Sequence, residues 1–216
     1  MKVLVVGANG QIGKQTTEML QEHNDHHVRA MVRKEDQLNE FKDKGIEAVL
    51  ADLEGPVDQL AQAADGCDAV IFAAGSGGKT GADKTLLIDL DGAIKMVEAA
   101  EKAGVERFLM VSALQAHNRE NWNEKIRHYY VAKHYADKAL VESSLNHTIV
   151  RPGGLLNEEG TGKVRVAENL PERATIPRED VARVLVASLN EEKKTFNRGF
   201  DLLSGEYSVE KALSTL

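Results

Sequence analysis

Tyr129 and Lys133 stand four residues apart in the run Tyr129-Tyr130-Val131-Ala132-Lys133. A helix through them puts both on one face. That pairing suits proton transfer. A free phenol has a pKa of about 10, too high to exchange a proton easily near neutrality, and a neighbouring ammonium is expected to lower it. Ser112 follows the apolar run Leu109-Met110-Val111 and is expected to hold a substrate oxygen by a hydrogen bond. A second constellation lies at the other end of the chain, where Gly7-Ala8-Asn9-Gly10-Gln11-Ile12-Gly13 follows Val3–Val6 directly. Glycines at such spacing, between a buried strand and a helix, allow a sharp turn, close approach of backbone to a diphosphate, and tight helix–sheet packing. The helix start adds free N–H groups and a partial positive charge. Together the two predict hydride transfer between a nicotinamide dinucleotide and a carbonyl or alcohol carbon. In that scheme Tyr129 supplies or takes the proton, and Lys133 also donates to the nicotinamide ribose. Tyr130 and His134 are spaced alike and form a rival pair, one that leaves the ribose without a cation.

Other strand ends point to the same crevice. The segment Met31-Val32-Arg33-Lys34 has no acid before Glu35. An acid here would favour NAD, whereas Arg33 suits a ribose 2′-phosphate through its forked donors, so the expected cofactor is NADP, with NAD possible. In Ala51-Asp52-Leu53, Asp52 is placed to accept from the adenine amino group with Leu53 against the ring; capping the next helix is the competing role for Asp52. Ala73, Ala74 and Gly75 are small enough to let a cofactor lie close to backbone.

The elements that must position these residues alternate. Strands are expected at Val3–Val6, His27–Val32, Glu47–Leu50, Ala69–Ala73, Phe108–Val111, Thr148–Val150 and Phe200–Leu203. Helices are expected at Ile12–Glu22, Gln37–Lys44, Val57–Ala64, Leu86–Ala103, Lys125–Ser144, Val181–Leu189 and Val209–Leu213. Leu87, Leu90, Ile94 and Val97 keep helical spacing, and Gly104 stands where a helix stop belongs. Such alternation predicts an α/β fold, a doubly wound, mostly parallel sheet with helices on both faces. Residues 76–83 and 155–173 lack clear periodicity and read as long connections of the kind that line sites or act as lids.

Composition agrees. The 216 residues, 42% hydrophobic and 28% charged, fit one domain over 1–216, with a substrate-covering part from about 153–216. A lone cysteine excludes an internal disulfide, and a net charge of −7 disfavours nucleic acid as partner. No run approaches a membrane span, so the expectation is a cytoplasmic protein with a small-molecule substrate, its oligomeric state left open between monomer and homodimer. Cys67 reads as a packing residue and Glu191-Glu192-Lys193-Lys194 as a solvated turn. Arg178 and Asp180 read as serving a helix start, and Trp122 as a pocket wall or a loop anchor. The histidines of Glu22-His23-Asn24-Asp25-His26-His27 read as a polar turn rather than a metal site.

These segments, with Arg151-Pro152-Gly153-Gly154-Leu155, resemble the short-chain dehydrogenase/reductase superfamily over nearly the whole chain. Its short atypical branch is the nearest in character, the NAD(P)-binding Rossmann-fold proteins similar to sugar epimerases, biliverdin reductase B and NmrA-type regulators. The resemblance implies Ser112, Tyr129 and Lys133 as catalytic triad. It implies Gly7, Asn9, Gly10, Gln11, Ile12 and Gly13 around the pyrophosphate, Arg33 at the 2′-phosphate, Asp52 and Leu53 at the adenine, and Pro152 and Gly153 near the nicotinamide. Sugar epimerases of this type carry a larger C-terminal substrate domain. The short stretch from 154 to 216 implies instead a small ligand under the 155–173 loop. NmrA-like members are sensors that often lack the tyrosine, so three readings stand: an oxidoreductase, a non-catalytic NADP(H) sensor, or an isomerase acting by transient oxidation. Arg33→Ala should narrow the preference for NADPH over NADH in equilibrium titrations; an unchanged ratio of dissociation constants would discard the 2′-phosphate assignment.

Overall fold

Each short β-branched run becomes a strand and each amphipathic stretch a helix in the computed structural model, which describes residues 1–22, 25–78 and 80–216. The first half reads β1 (Lys2–Val6), α1 (Gln11–Glu22), β2 (His27–Val32), α2 (Glu35–Asp43), β3 (Glu47–Leu50), α3 (Val57–Ala64) and β4 (Ala69–Phe72). A long helix follows in three pieces: α4 (Ala82–Lys84), a π-helical segment (Thr85–Gly92) and α5 (Ala93–Lys102). The second half holds β5 (Arg107–Val111), α6 (Arg127–Glu142), β6 (Asn146–Pro152), β7 (Gly154–Leu156), β8 (Lys163–Ala167) and β9 (Thr175–Pro177). It ends with α7 (Arg178–Asn190), α8 (Glu192–Thr195), β10 (Arg198–Ser204), β11 (Tyr207–Ser208) and α9 (Val209–Leu213).

Nine strands form one sheet in the order β11-β8-β10-β6-β5-β4-β1-β2-β3. From β3 to β10 every pairing is parallel; β8 and β11 extend that edge antiparallel. The chain steps outward from β1 to β2 and β3, then returns to β4 on the other side of β1. That reversal opens a crevice at the carboxyl ends of β1 and β4, the usual ligand position in open α/β sheets. Val6 lies level with Met31 and Phe72, so the turns leaving β1, β2 and β4 emerge on one rim. Both faces are covered. Ile12, Leu20, Phe41, Leu185 and Leu213 pack on one, and Leu60, Met96, Val97, Ala136 and Leu140 on the other. Each large side chain fully buried here contributes about 1.5–3 kcal/mol. Gly104, with φ +72°, ends the long helix as its position in the sequence predicts.

The expected irregular stretch 155–173 is only partly irregular. It holds β7 and β8, and β8 alternates exposed Lys163 and Arg165 with buried Val164 and Val166. The run is five residues long, too brief for its period of two to stand out from a polar background. β7 pairs with β9 as a separate two-stranded sheet beside the main one. Expected helix starts also shift: the long helix in three pieces begins at Ala82 rather than Leu86, and α7 at Arg178 rather than Val181.

Close packing where β6 gives way to β7 explains Gly153. A Cβ there would stand 2.3 Å from the Ala174 carbonyl oxygen and 2.5 Å from Leu203 Cδ2. Gly153→Ala should therefore destabilise the fold by about 1–3 kcal/mol, a fall in Tm of roughly 2–10 °C for a chain of this size. Calorimetry checks this; an unchanged Tm would show the packing to be looser than described.

Candidate functional site

The glycine turn is built by contacts within the chain itself. Gly7 takes φ +80°, and a Cβ on it would lie 2.7 Å from Ala74 Cα at the exit of β4. A Cβ on Gly13 would come within 2.2 Å of the Gly7 carbonyl oxygen, so only glycine lets α1 seat against the turn. These two glycines are explained by packing. Gly10 differs: it is exposed, its amide donates to the Gly7 carbonyl at 2.8 Å, and Lys14 N–H closes the first helical turn onto its own carbonyl at 2.8 Å. Asn9, Gly10 and Gln11 border a hollow of about 340 Å³, faced across by Leu156, Asn157, Glu158 and Arg178. Ile12 turns inward to the core. A side-chain-free turn bordering a hollow, with the start of α1 behind it, fits a dinucleotide's diphosphate.

The neighbouring strand ends lie as the topology requires. Arg33 follows β2, exposed and without an ion pair among the described residues. Asp52 is exposed after β3, and its Oδ1 accepts from Glu54 N–H at 2.9 Å; this closes a local turn and leaves the start of α3 to Pro56. Leu53 is buried, its Cβ 3.0 Å from where a Cβ on Gly92 would stand. Ala73 and Ala74 are half-buried and Gly75 exposed on the rim.

Tyr129 and Lys133 do share a face of α6, with Lys133 Nζ 5.9 Å from the Tyr129 ring centre. The lysine's nearest charge is Asp89, a residue the sequence reading did not single out. Asp89 lies in the π-helical segment, 1% exposed, with Oδ1 3.7 Å from Lys133 Nζ. Its Oδ2 accepts from Ser76 N–H at 3.0 Å, so one carboxylate joins the β4 exit to α6. The expected lowering of the Tyr129 phenol is not found: burial and the nearby Asp89 carboxylate raise it above its ordinary value, and the lysine's charge is spent on Asp89. π-Helical turns within longer helices gather at functional sites, a mark that the structure supplies for Asp89. An acid in a helix otherwise rich in exposed acids carried no mark in sequence.

Ser112 sits at the carboxyl end of β5, 3% exposed, its amide bound to the Val150 carbonyl at 2.8 Å. Its hydroxyl is buried and has no hydrogen-bond partner among the described residues, Tyr129 and Lys133 included. A buried hydroxyl left unsatisfied costs about 1–3 kcal/mol, and a ligand oxygen is the partner such a group lacks.

The rival pair has other work. Tyr130 stacks on Trp122 with ring centres 5.9 Å apart, and His134 Nδ1 lies 2.8 Å from the Ala116 carbonyl that Trp122 Nε1 also reaches at 3.2 Å. Trp122 thus anchors the loop after β5. Gln115, at φ +62°, pins the same loop to β10: its amide and side chain both donate to the fully buried Asp201. A larger hollow of about 690 Å³ lies between this loop, α6 and Glu168–Asn169; Tyr129, Lys133 and Ser112 are not in its lining.

Pro152 and Gly153 are buried at the end of β6, and the Gly153 amide donates to the Leu202 carbonyl at 2.9 Å. Asp180 serves the 161–162 turn rather than its own helix start, accepting from Thr161 and Gly162 amides at 2.9 and 2.8 Å. Cys67 is buried, which pushes its thiol up and fits the packing role. Glu192–Lys194, expected as a turn, lie in α8. His23 and Asn24 fall outside the described residues, and among the described ones no three potential ligands gather for a metal. No helix of the described residues is long and apolar enough to cross a membrane.

Comparison with known proteins agrees with this geometry. A family model described as NAD(P)H-binding matches residues 7–192. An uncharacterized sugar epimerase of Bacillus subtilis (strain 168) is 60% identical over 216 residues, covering 100% of both chains. The structure of a Bacillus halodurans protein, provisionally named an NAD-dependent epimerase/dehydratase, is 44% identical, covers 100% of each chain and superposes with a TM-score of 0.92. An anaerobillin reductase of Escherichia coli O157:H7 shares the fold, at 23% identity over 96% of this chain and 99% of that one, with a TM-score of 0.80. The match over most of the length, on a sheet that reverses beside a glycine turn, makes this chain a member of the NAD(P)H-binding Rossmann-fold family, with relatives that carry epimerase names.

Proposed function

We propose that the protein is an NADP-dependent oxidoreductase that reduces a small carbonyl compound. One observation carries the reading: a phenol, an ammonium and a carboxylate are packed together on α6 and the π-helical segment, and that carboxylate is bonded to the exit of β4 on the crevice rim. A cofactor-binding domain needs the rim but has no need of this cluster. Arg33 at the end of β2, exposed and without an ion pair among the described residues, supports NADP over NAD.

When bound, the dinucleotide supplies the hydride. The rest falls to the chain. The amides that follow Gly10 hold the diphosphate, which the bare Gly10 lets approach, and Arg33 holds the 2′-phosphate. Ser112 donates to the substrate carbonyl oxygen, satisfying its orphan hydroxyl. Tyr129 gives that oxygen its proton as charge develops there. Asp89 fixes the Lys133 ammonium in place, ready to donate to the ribose hydroxyls. Burial, with Asp89 beside it, holds the phenol protonated through the neutral range, which favours reduction over alcohol oxidation.

The name of the Bacillus subtilis relative supports a second reading, an isomerase that oxidises and re-reduces one substrate. It uses the same tyrosine and predicts no net consumption of dinucleotide. Binding without turnover would instead mark a sensor.

Tyr129→Phe should lower kcat for carbonyl reduction by roughly 10²–10⁴-fold and leave NADPH affinity within about twofold, read by fluorescence titration of Trp122. Activity surviving that substitution would remove the tyrosine from the reaction. Because the phenol is held above its ordinary value, kcat/KM for reduction should stay level from about pH 6 to about pH 9, while alcohol oxidation rises across that range. A fall in reduction with an apparent pKa near neutrality would contradict the assignment.

A further inference from the structure

Arg178 opens α7 and borders the hollow that the glycine turn also borders. Asn9, Gly10 and Gln11 line that hollow together with Asn157 and Arg178. We propose that Arg178 is a phosphate-binding residue of the dinucleotide site, its guanidinium donating to the same diphosphate that the glycine turn receives. The inference rests on the dinucleotide reading above and adds to it a cation from the far end of the chain.

The charges around the start of α7 set Arg178 apart. Glu179 accepts from the Gly160 amide at 2.7 Å and pairs with Arg183. Asp180 accepts from the Thr161 and Gly162 amides and lies 3.1 Å from Arg183. Both acids are thus committed to the 160–162 turn and to Arg183. Arg178 has no ion pair among the described residues; its Nη1 donates to Asn157 Oδ1 at 2.7 Å. That neutral amide orients the guanidinium without cancelling its charge.

Helix stability does not account for the position. A cation in the first turn opposes the helix dipole, where an acid would be favoured. The other cation of the hollow is already used, because Lys14 pairs with Glu40 at 2.8 Å. Glu18 is paired with Lys44 at 3.2 Å, and Glu158 has no ion pair among the described residues. An anion entering beside Gly10 therefore meets one unneutralised carboxylate, and Arg178 is the cation that offsets it. The planar fork of a guanidinium suits two phosphate oxygens better than an ammonium does.

Calorimetric titration of wild type and Arg178→Ala with NADPH, NADH, ADP and adenosine 2′-monophosphate tests the proposal. The substitution should weaken NADPH, NADH and ADP alike, by roughly 10- to 100-fold. It should leave the monophosphate and the NADPH-to-NADH ratio unchanged, which separates Arg178 from Arg33. Arg178→Lys should recover part of the loss. Should Arg178→Ala fail to fold, the exposed Asn157→Ala frees the guanidinium and should cost ADP affinity roughly two- to fivefold. ADP and dinucleotide affinities that stay within about twofold in folded variants, while wild type binds both, would overturn this proposal alone. A wild type that binds neither dinucleotide would overturn the reading beneath it as well.

Discussion

Close approach of backbone to backbone where the sheet reverses direction governs this molecule. Gly7 lies against Ala74 and Gly13 against the Gly7 carbonyl, at separations that no side chain could share. The turn leaving β1 is therefore wedged between the exit of β4 and the start of α1. That wedge leaves Gly10 facing outward, bare of side chain, at the head of a helix whose first amides have no internal partner. Parallel register then brings the ends of β2 and β4 to the same rim. Two glycines are thus spent on fold and one on access, although all three look alike in sequence.

Three buried carboxylates extend the order of the sheet into segments that have no ladder of their own. Asp89 receives the Ser76 amide, Asp201 the amides of Gln115 and Leu170, and Asp180 those of Thr161 and Gly162. All three are at most 1% exposed. A buried carboxylate is costly unless its oxygens are filled, and backbone N–H groups fill them. Each acid fixes an irregular segment without strand or helix there. Asp89 does more, because its other oxygen faces Lys133 and its charge reaches Tyr129. Burial of the phenol, reinforced by this negative charge, favours its protonated form.

Much of this was legible from the chain. His27–Val32, Glu47–Leu50, Val57–Ala64 and Val209–Leu213 carry the expected bounds, because their apolar periods are clean and punctuated by glycine, proline or charge. The glycine turn could be placed because it follows β1 at once. What escaped were features whose signal is not periodic. β8 has two inward valines in a polar setting, and β7 and β9 are three residues each. Asp89 and Asp201 look like ordinary acids until long-range packing buries them. The tyrosine–lysine spacing was read correctly as a shared face, but the sign of its electrostatics was not. That sign is set first by burial of the phenol and then by Asp89, forty positions upstream of Tyr129, both products of tertiary structure.

The central claim is that main-chain amides of the turn after β1 hold a dinucleotide's diphosphate. Amide chemical shifts of isotope-labelled protein, followed during titration with NADPH and then with ADP, report on it residue by residue. The account predicts that both ligands move the amides of Gly10, Gln11, Ile12 and Gly13 at saturation, with the amide of Arg33 moving for NADPH. Saturable binding that leaves the 10–13 amides still and shifts a different region of the sheet would contradict it.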